Sequence, residues 1–149
     1  MGIGLVVLFF ALDGLMRSGY AHFGARAMGR SPPYLDAFLS ELTGSAATAV
    51  LFFAVIVPMC RRFPVGGRRW APHLAAHLIS VAVYTVSKTL LMWAMRAVLW
   101  PVTGRGRYEY GDLGYRITME ASNDVVSYGL LALGTHAFFA WLGLREEEL

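Results

Sequence analysis

Charged and polar side chains interrupt the most apolar segments of this sequence, and they are the residues best suited to chemistry. Charged groups in an apolar environment are costly, so they mark functional sites or buried ion pairs. We take them as candidates for ligand binding or for sensing a stimulus. They are Asp13, Glu41, Lys88, Arg96, Glu120, Asn123, Asp124 and Tyr128.

Histidines offer a second kind of chemistry. His73 and His77 are four residues apart on one helical face, so they cannot lie on opposite sides of one haem. His136 could face His77 across a helical bundle, which makes His77 and His136 the candidate haem ligands. We nevertheless expect no cofactor and no metal. The H-x-x-x-H pair lacks the glutamate of the H-E-x-x-H zinc-protease motif, and no Ser–His–Asp or Cys–His arrangement has a credible spacing, so no catalytic residue is assigned.

The composition indicates that a lipid bilayer surrounds these residues. The 149 residues are 56% hydrophobic and only 15% charged, with a mean hydropathy of +0.50, whereas a soluble domain carries about 25% charged residues. The length allows one domain, residues 1–149, and the single Cys60 excludes an intrachain disulfide framework. No basic, aromatic surface suggests a nucleic acid partner.

Four apolar segments must position the candidate residues. Crossing about 30 Å of hydrocarbon takes about 20 helical residues. The sequence therefore predicts an all-α polytopic membrane protein with four transmembrane helices in an antiparallel bundle. The approximate spans are 2–20, 35–60, 71–100 and 122–144.

Arginines orient the predicted bundle. The loop "RRFPVGGRR" carries four positive charges and no negative one, and Trp70 follows it as an interfacial anchor. Because short cytoplasmic loops are enriched in Lys and Arg, we expect this loop and both termini in the cytoplasm. The loop residues concerned are Arg61, Arg62, Arg68, Arg69 and Trp70.

The depth of each charged residue in the membrane then predicts which charged groups pair. With a rise of about 1.5 Å per residue, Asp13 and Lys88 lie at matching heights and should form a buried pair. Arg96 should join Glu41, Glu120 or Asp124 in an outer cluster. These charges could hold the bundle together, line an outward-opening pocket for a small molecule, or form a proton or ion path, and the sequence leaves all three open.

The end of the sequence predicts a helix that continues. "LGLREEEL" places three glutamates at the C-terminal end of the fourth helix, where the helix dipole disfavours negative charge. We therefore expect the helix to continue into the cytoplasm, with these glutamates on its solvent-exposed face.

Several segments together resemble a known family. They are "RRFPVGGRRWAPHLAAHL", "LLMWAMRAVLWP", "RYEYGDLGYRITMEASNDVVSYGLLALGTHAF" and "LREEEL". Over about residues 38–149 the chain resembles the N-terminal membrane region of LytS/YehU-type bacterial sensor histidine kinases. The arginine loop with Trp70 and His77 matches one motif, and Arg96 with the segment from Glu120 to Tyr128 matches another.

The resemblance implies a sensory and anchoring domain in the bacterial inner membrane. Such a domain works as a homodimer and passes a stimulus through its last helix to a cytoplasmic kinase or other output module. The phospho-acceptor box, the Asn box and the ATP lid of such kinases do not occur in this sequence, so no kinase activity is carried over. The alternative is a stand-alone small membrane protein, either a transporter or a haem- or quinone-type redox subunit.

Overall fold

The computed structural model describes residues 2–30, 33–65 and 70–147, and 88% of these residues are helical. No strand occurs in these ranges, so the all-α prediction is confirmed. A π-helical turn at Phe52–Ile56 joins the second helix to the third. The helices are α1 (Gly2–Ala27), α2 (Tyr34–Leu51), α3 (Val57–Arg62), α4 (Trp70–Val102) and α5 (Leu113–Glu147).

Within the described residues, four helical segments are long and apolar enough to cross a membrane. This agrees with the number of predicted spans and indicates a multi-pass membrane protein. The first and fourth segments are longer than predicted, because α1 continues beyond Tyr20 and α5 begins before Ser122. The segments are Ile3–Ala27, Tyr34–Arg62, Trp70–Val102 and Leu113–Glu146.

The early start of α5 has a local cause. The carboxylate of Asp112 accepts a hydrogen bond of 2.7 Å from the backbone N–H of Tyr115. An aspartate that caps the third N–H of a helix satisfies one of its unpaired donors. Asp112 therefore nucleates a helix in "LGYRITME", a segment predicted to be a loop.

The π-helical turn lies directly before Pro58. Proline has no N–H and its ring clashes with the carbonyl one turn earlier, so a regular α-helix cannot pass through it undisturbed. The chain adds a residue to the turn, and the N–H of Val57 bonds the carbonyl of Phe52 five residues back. The widened turn leads directly into α3, the helix that carries Cys60.

The chain divides into two compact units. The first comprises Met1–Val50 and Lys88–Gly111. In it α1 packs closely on α2, because a Cβ atom at Gly14 would lie only 3.1 Å from the hydroxyl of Ser45. The small residues of "TGSAATA" therefore serve helix packing in this unit.

The second unit comprises Leu51–Ser87 and Asp112–Leu149. It contains a cluster of buried side chains that come from the last residue of α2, the π turn, α3, α4 and α5. Because Cys60 and Tyr128 belong to this cluster, the packing of the unit fixes the polar groups described below. The buried members are Leu51, Ile56, Cys60, Tyr84, Tyr128 and Ala132.

Candidate functional site

Most of the candidate residues are at least partly buried. Asp124 is fully buried and Lys88 is 9% exposed, which is unusual for charged side chains. The other polar residues that share a helical face with them are also buried or half-buried, namely His77, Ser80, Tyr84 and Ser87 on α4 and Ser127 and Thr135 on α5. Tyr128 is buried, Asp13, Glu41, Arg96 and Glu120 are half-buried, and Asn123 is exposed.

The carboxylate of Asp13 has partners other than the predicted one. It accepts bonds of 3.1 Å from Nε of Arg17 and 3.1 Å from the hydroxyl of Ser45. The predicted Asp13–Lys88 pair is not among these contacts and stays a prediction. Arg17 lies one turn along the same helix, where opposite charges meet without help from tertiary packing.

Arg96 is held by neutral oxygens in the first unit. Its guanidinium donates to Oγ1 of Thr43 at 2.9 Å, to the Ser40 carbonyl at 2.7 Å and to the Tyr108 hydroxyl at 3.1 Å. The outer cluster, in which Arg96 joins Glu41, Glu120 or Asp124, stays a prediction beside these contacts. Every residue has a backbone carbonyl, so residue types cannot indicate which carbonyl accepts from Arg96. The sequence therefore suggested only carboxylates as partners.

The arginine loop is only partly described. Arg61 and Arg62 are exposed at the end of α3, and the Arg61 guanidinium lies 5.2 Å from the ring centroid of Phe139 on α5. Trp70 is the exposed first residue of α4. Arg68 and Arg69 lie outside the described residues.

A histidine cluster in the second unit consists of Cys60, His77, Tyr128 and His136. Nδ1 of His77 lies 2.9 Å from the Tyr128 hydroxyl, and Nε2 lies 2.9 Å from the carbonyl of Phe63. The rings of His77 and His136 meet edge to face, with 5.5 Å between their centroids. The cluster thus joins α3, α4 and α5.

The hydrogen bonds of His77 fix its tautomer. A carbonyl oxygen can only accept, so Nε2 of a neutral His77 carries the proton and donates it to Phe63. Nδ1 is then the acceptor, and the Tyr128 hydroxyl donates to it. The lone pair of Nδ1 therefore points into the cluster.

The two haem candidates, His77 and His136, do come together, but not as axial haem ligands. A haem bound by two histidines has its porphyrin between the two imidazole rings. Here the two rings pack directly on each other, edge to face with 5.5 Å between their centroids, so no porphyrin fits between them. The arrangement does not fit a haem held between them.

Sequence reasoning missed Cys60 as a member of the cluster. Its side chain is 1% exposed, and its sulfur lies 3.8 Å from the carbonyl of Ala132. Cys60, His77 and His136 come from three different helices, so no spacing motif could have joined them. The one available signal was that each lies in an apolar segment.

Comparisons of the chain with protein-family models, with curated proteins and with solved structures find no match.

Proposed function

We propose that the chain is the membrane-embedded sensory and anchoring domain of a two-component histidine kinase. In this proposal a stimulus changes the position of α5, and α5 passes the change to a cytoplasmic output module. The proposal rests on the resemblance of the segments around Trp70, Arg96 and Asp124 to such domains, and on the length and continuity of α5. The arginine loop and both termini lie in the cytoplasm of a bacterial cell, and the domain works as a homodimer in the inner membrane.

The observation that carries this proposal is the continuity of α5. The helix runs for 35 residues without interruption, which is about 52 Å at a rise of 1.5 Å per residue. The hydrocarbon core is only about 30 Å thick, so α5 is long enough to extend well beyond it. An unbroken helix transmits a shift or rotation along its whole length.

Buried polar contacts hold the middle of α5. Tyr128 bonds His77 on α4, the sulfur of Cys60 on α3 contacts the carbonyl of Ala132, and Asp124 is fully buried. Polar contacts of this kind have few alternative arrangements, because a broken one leaves an unsatisfied group in an apolar interior. A stimulus that changes them would therefore move α5 between discrete positions.

The far end of α5 is polar. Arg145 and Glu146 are exposed, and the Arg145 guanidinium lies 5.1 Å from the ring centroid of Trp141. An aromatic side chain followed by charged residues is typical of a helix leaving the bilayer. This end is where an output module would receive the movement.

Alanine insertion tests the relay. The chain is fused to the cytoplasmic part of a kinase of the resembled type, and one to four alanines are inserted after Leu144. Each alanine rotates the following helix by about 100°. We expect basal autophosphorylation to differ at least about fivefold among the insertions. The two-residue insertion should differ most from the parent and the four-residue insertion least.

A matched series with Gly-Ser insertions of the same lengths serves as the control. A flexible insertion uncouples the two parts, so its output should not follow the helical period. Equal output for all alanine insertions would show that α5 is a passive anchor. That result would overturn the sensory proposal and favour the stand-alone membrane protein.

A further inference from the structure

Three potential metal ligands meet in the second unit. The sulfur of Cys60 and one ring nitrogen each of His77 and His136 lie within 4.8 Å of one another. Cys60 is 1% and His77 6% exposed, and His136 is half-buried. The residues belong to α3, α4 and α5, so packing rather than local sequence brings them together.

Two of these side chains have ligand atoms that lack a close hydrogen-bond partner, which points to a ligand. Nε2 of His136 is buried and has no hydrogen-bond partner among the described residues. An unsatisfied buried nitrogen costs about 1–3 kcal/mol. The Cys60 sulfur has only its long contact of 3.8 Å to the carbonyl of Ala132.

His77 is already oriented as metal-binding histidines are. Its Nε2–H donates to the Phe63 carbonyl, and metal-ligating histidines almost always donate their second ring N–H to a carbonyl or carboxylate. The lone pair of Nδ1 is the one left for a metal. Tyr128 would release this lone pair and donate its hydroxyl proton to the nearby buried hydroxyl of Ser80 on α4.

We propose that Cys60, His77 and His136 bind one monovalent copper ion. Thiolate sulfur is a soft ligand that selects Cu(I), and imidazole also suits copper. On binding, the Cys60 thiol proton leaves to solvent and Cu(I) takes its place, so the net charge of the buried site does not change. Zn²⁺ would add one positive charge to an apolar interior, which is costly.

The geometry needs only small side-chain movements. Donor atoms bonded at about 2.0–2.3 Å to one ion lie about 3.5 Å apart, so separations of up to 4.8 Å must close by about 1 Å. Side-chain rotation within the cluster has to supply this closure. The proposal is independent of the sensory function, because the site requires neither a kinase nor a relay.

Cu(I) titration of the purified chain tests the site. The protein in detergent micelles is titrated anaerobically against a colorimetric Cu(I) chelator, with Zn²⁺ in a parallel arm. We expect one Cu(I) per chain, and binding at least about 100-fold weaker in Cys60→Ser and in His136→Leu, since even the loss of an outer-shell group costs about 10–100-fold. His73→Leu, one turn from His77 on the same helix, should bind as the parent does.

X-ray absorption of the parent protein gives a readout that does not depend on the folding of variants. We expect one sulfur near 2.2 Å and nitrogens near 2.0 Å from copper. A shell without sulfur, or less than about 0.1 Cu(I) per chain, would overturn the site. Equal affinity of the parent and Cys60→Ser would do the same, and Zn²⁺ that outcompetes Cu(I) would overturn the choice of metal.

Discussion

Replacing Leu130 with arginine is expected to raise the apparent free energy of inserting α5 into a membrane by about 2.5–3.5 kcal/mol. Leu130 lies at the middle of the fourth candidate span, Leu113–Glu146, and its side chain is 66% exposed. A side chain exposed at this depth faces lipid if the helix crosses the bilayer. Arginine is then placed where its charge is least tolerated.

The same change distinguishes a lipid-facing surface from a water-facing one. At an ordinary surface position, substitution alters stability by no more than about 0.5 kcal/mol. Glycosylation mapping of α5 in microsomes measures the inserted fraction. Leu144→Arg is the matched control, because Leu144 is similarly exposed but near the end of the helix, where arginine reaches the interface. If Leu130→Arg inserted as readily as Leu144→Arg, α5 would not span the membrane.

Replacing His77 with leucine is expected to lower the free energy of unfolding of the metal-free protein by about 3 kcal/mol. The change removes one buried and one partly buried hydrogen bond and leaves the Tyr128 hydroxyl and the Phe63 carbonyl without their partner. Each orphaned buried group costs about 1–3 kcal/mol. Chelator-washed protein in mixed micelles, unfolded by increasing SDS, supplies the measurement.

Two further variants show whether the loss comes from these hydrogen bonds. Tyr128→Phe should cost about 1–2 kcal/mol, because it leaves Nδ1 of His77 unsatisfied. The double variant should lose less stability than the two single variants lose together, by at least about 0.5 kcal/mol. In the double variant no hydroxyl is left without a partner. His73→Leu, which loses only an exposed bond to the Pro64 carbonyl, should change stability little. A loss in His77→Leu no larger than in His73→Leu would contradict the role of the cluster.

Sequence patterns predicted the helices well because the bilayer imposes simple rules. Long apolar runs predicted the four spans, and His77, Tyr84 and Lys88, which helical spacing puts on one face of α4, are all buried. The boundary of α5 was missed because one side chain, Asp112, decides it by capping. Segments near the interface contain too many polar residues for hydropathy to mark their helical start.

Pairing of polar groups was harder to predict than their burial. The predicted depths of Asp13 and Lys88 match, but depth does not say toward which side of its helix a side chain points. The partners of Asp13 include Arg17 and Ser45, which depth alone did not indicate. Arg96 met a carbonyl and two hydroxyls, groups that charge-based reasoning does not consider. Such contacts depend on side-chain direction, which only packing determines.

The four-span orientation is tested most directly by determining on which side of the membrane the arginine loop lies. Alkaline phosphatase, active only outside the cytoplasm, and a fluorescent protein, active inside, are inserted in turn near Gly66 and near Gly106. We expect fluorescence and no phosphatase activity near Gly66, and phosphatase activity without fluorescence near Gly106. Phosphatase activity near Gly66 would contradict the four-span orientation and, with it, a cytoplasmic exit for α5.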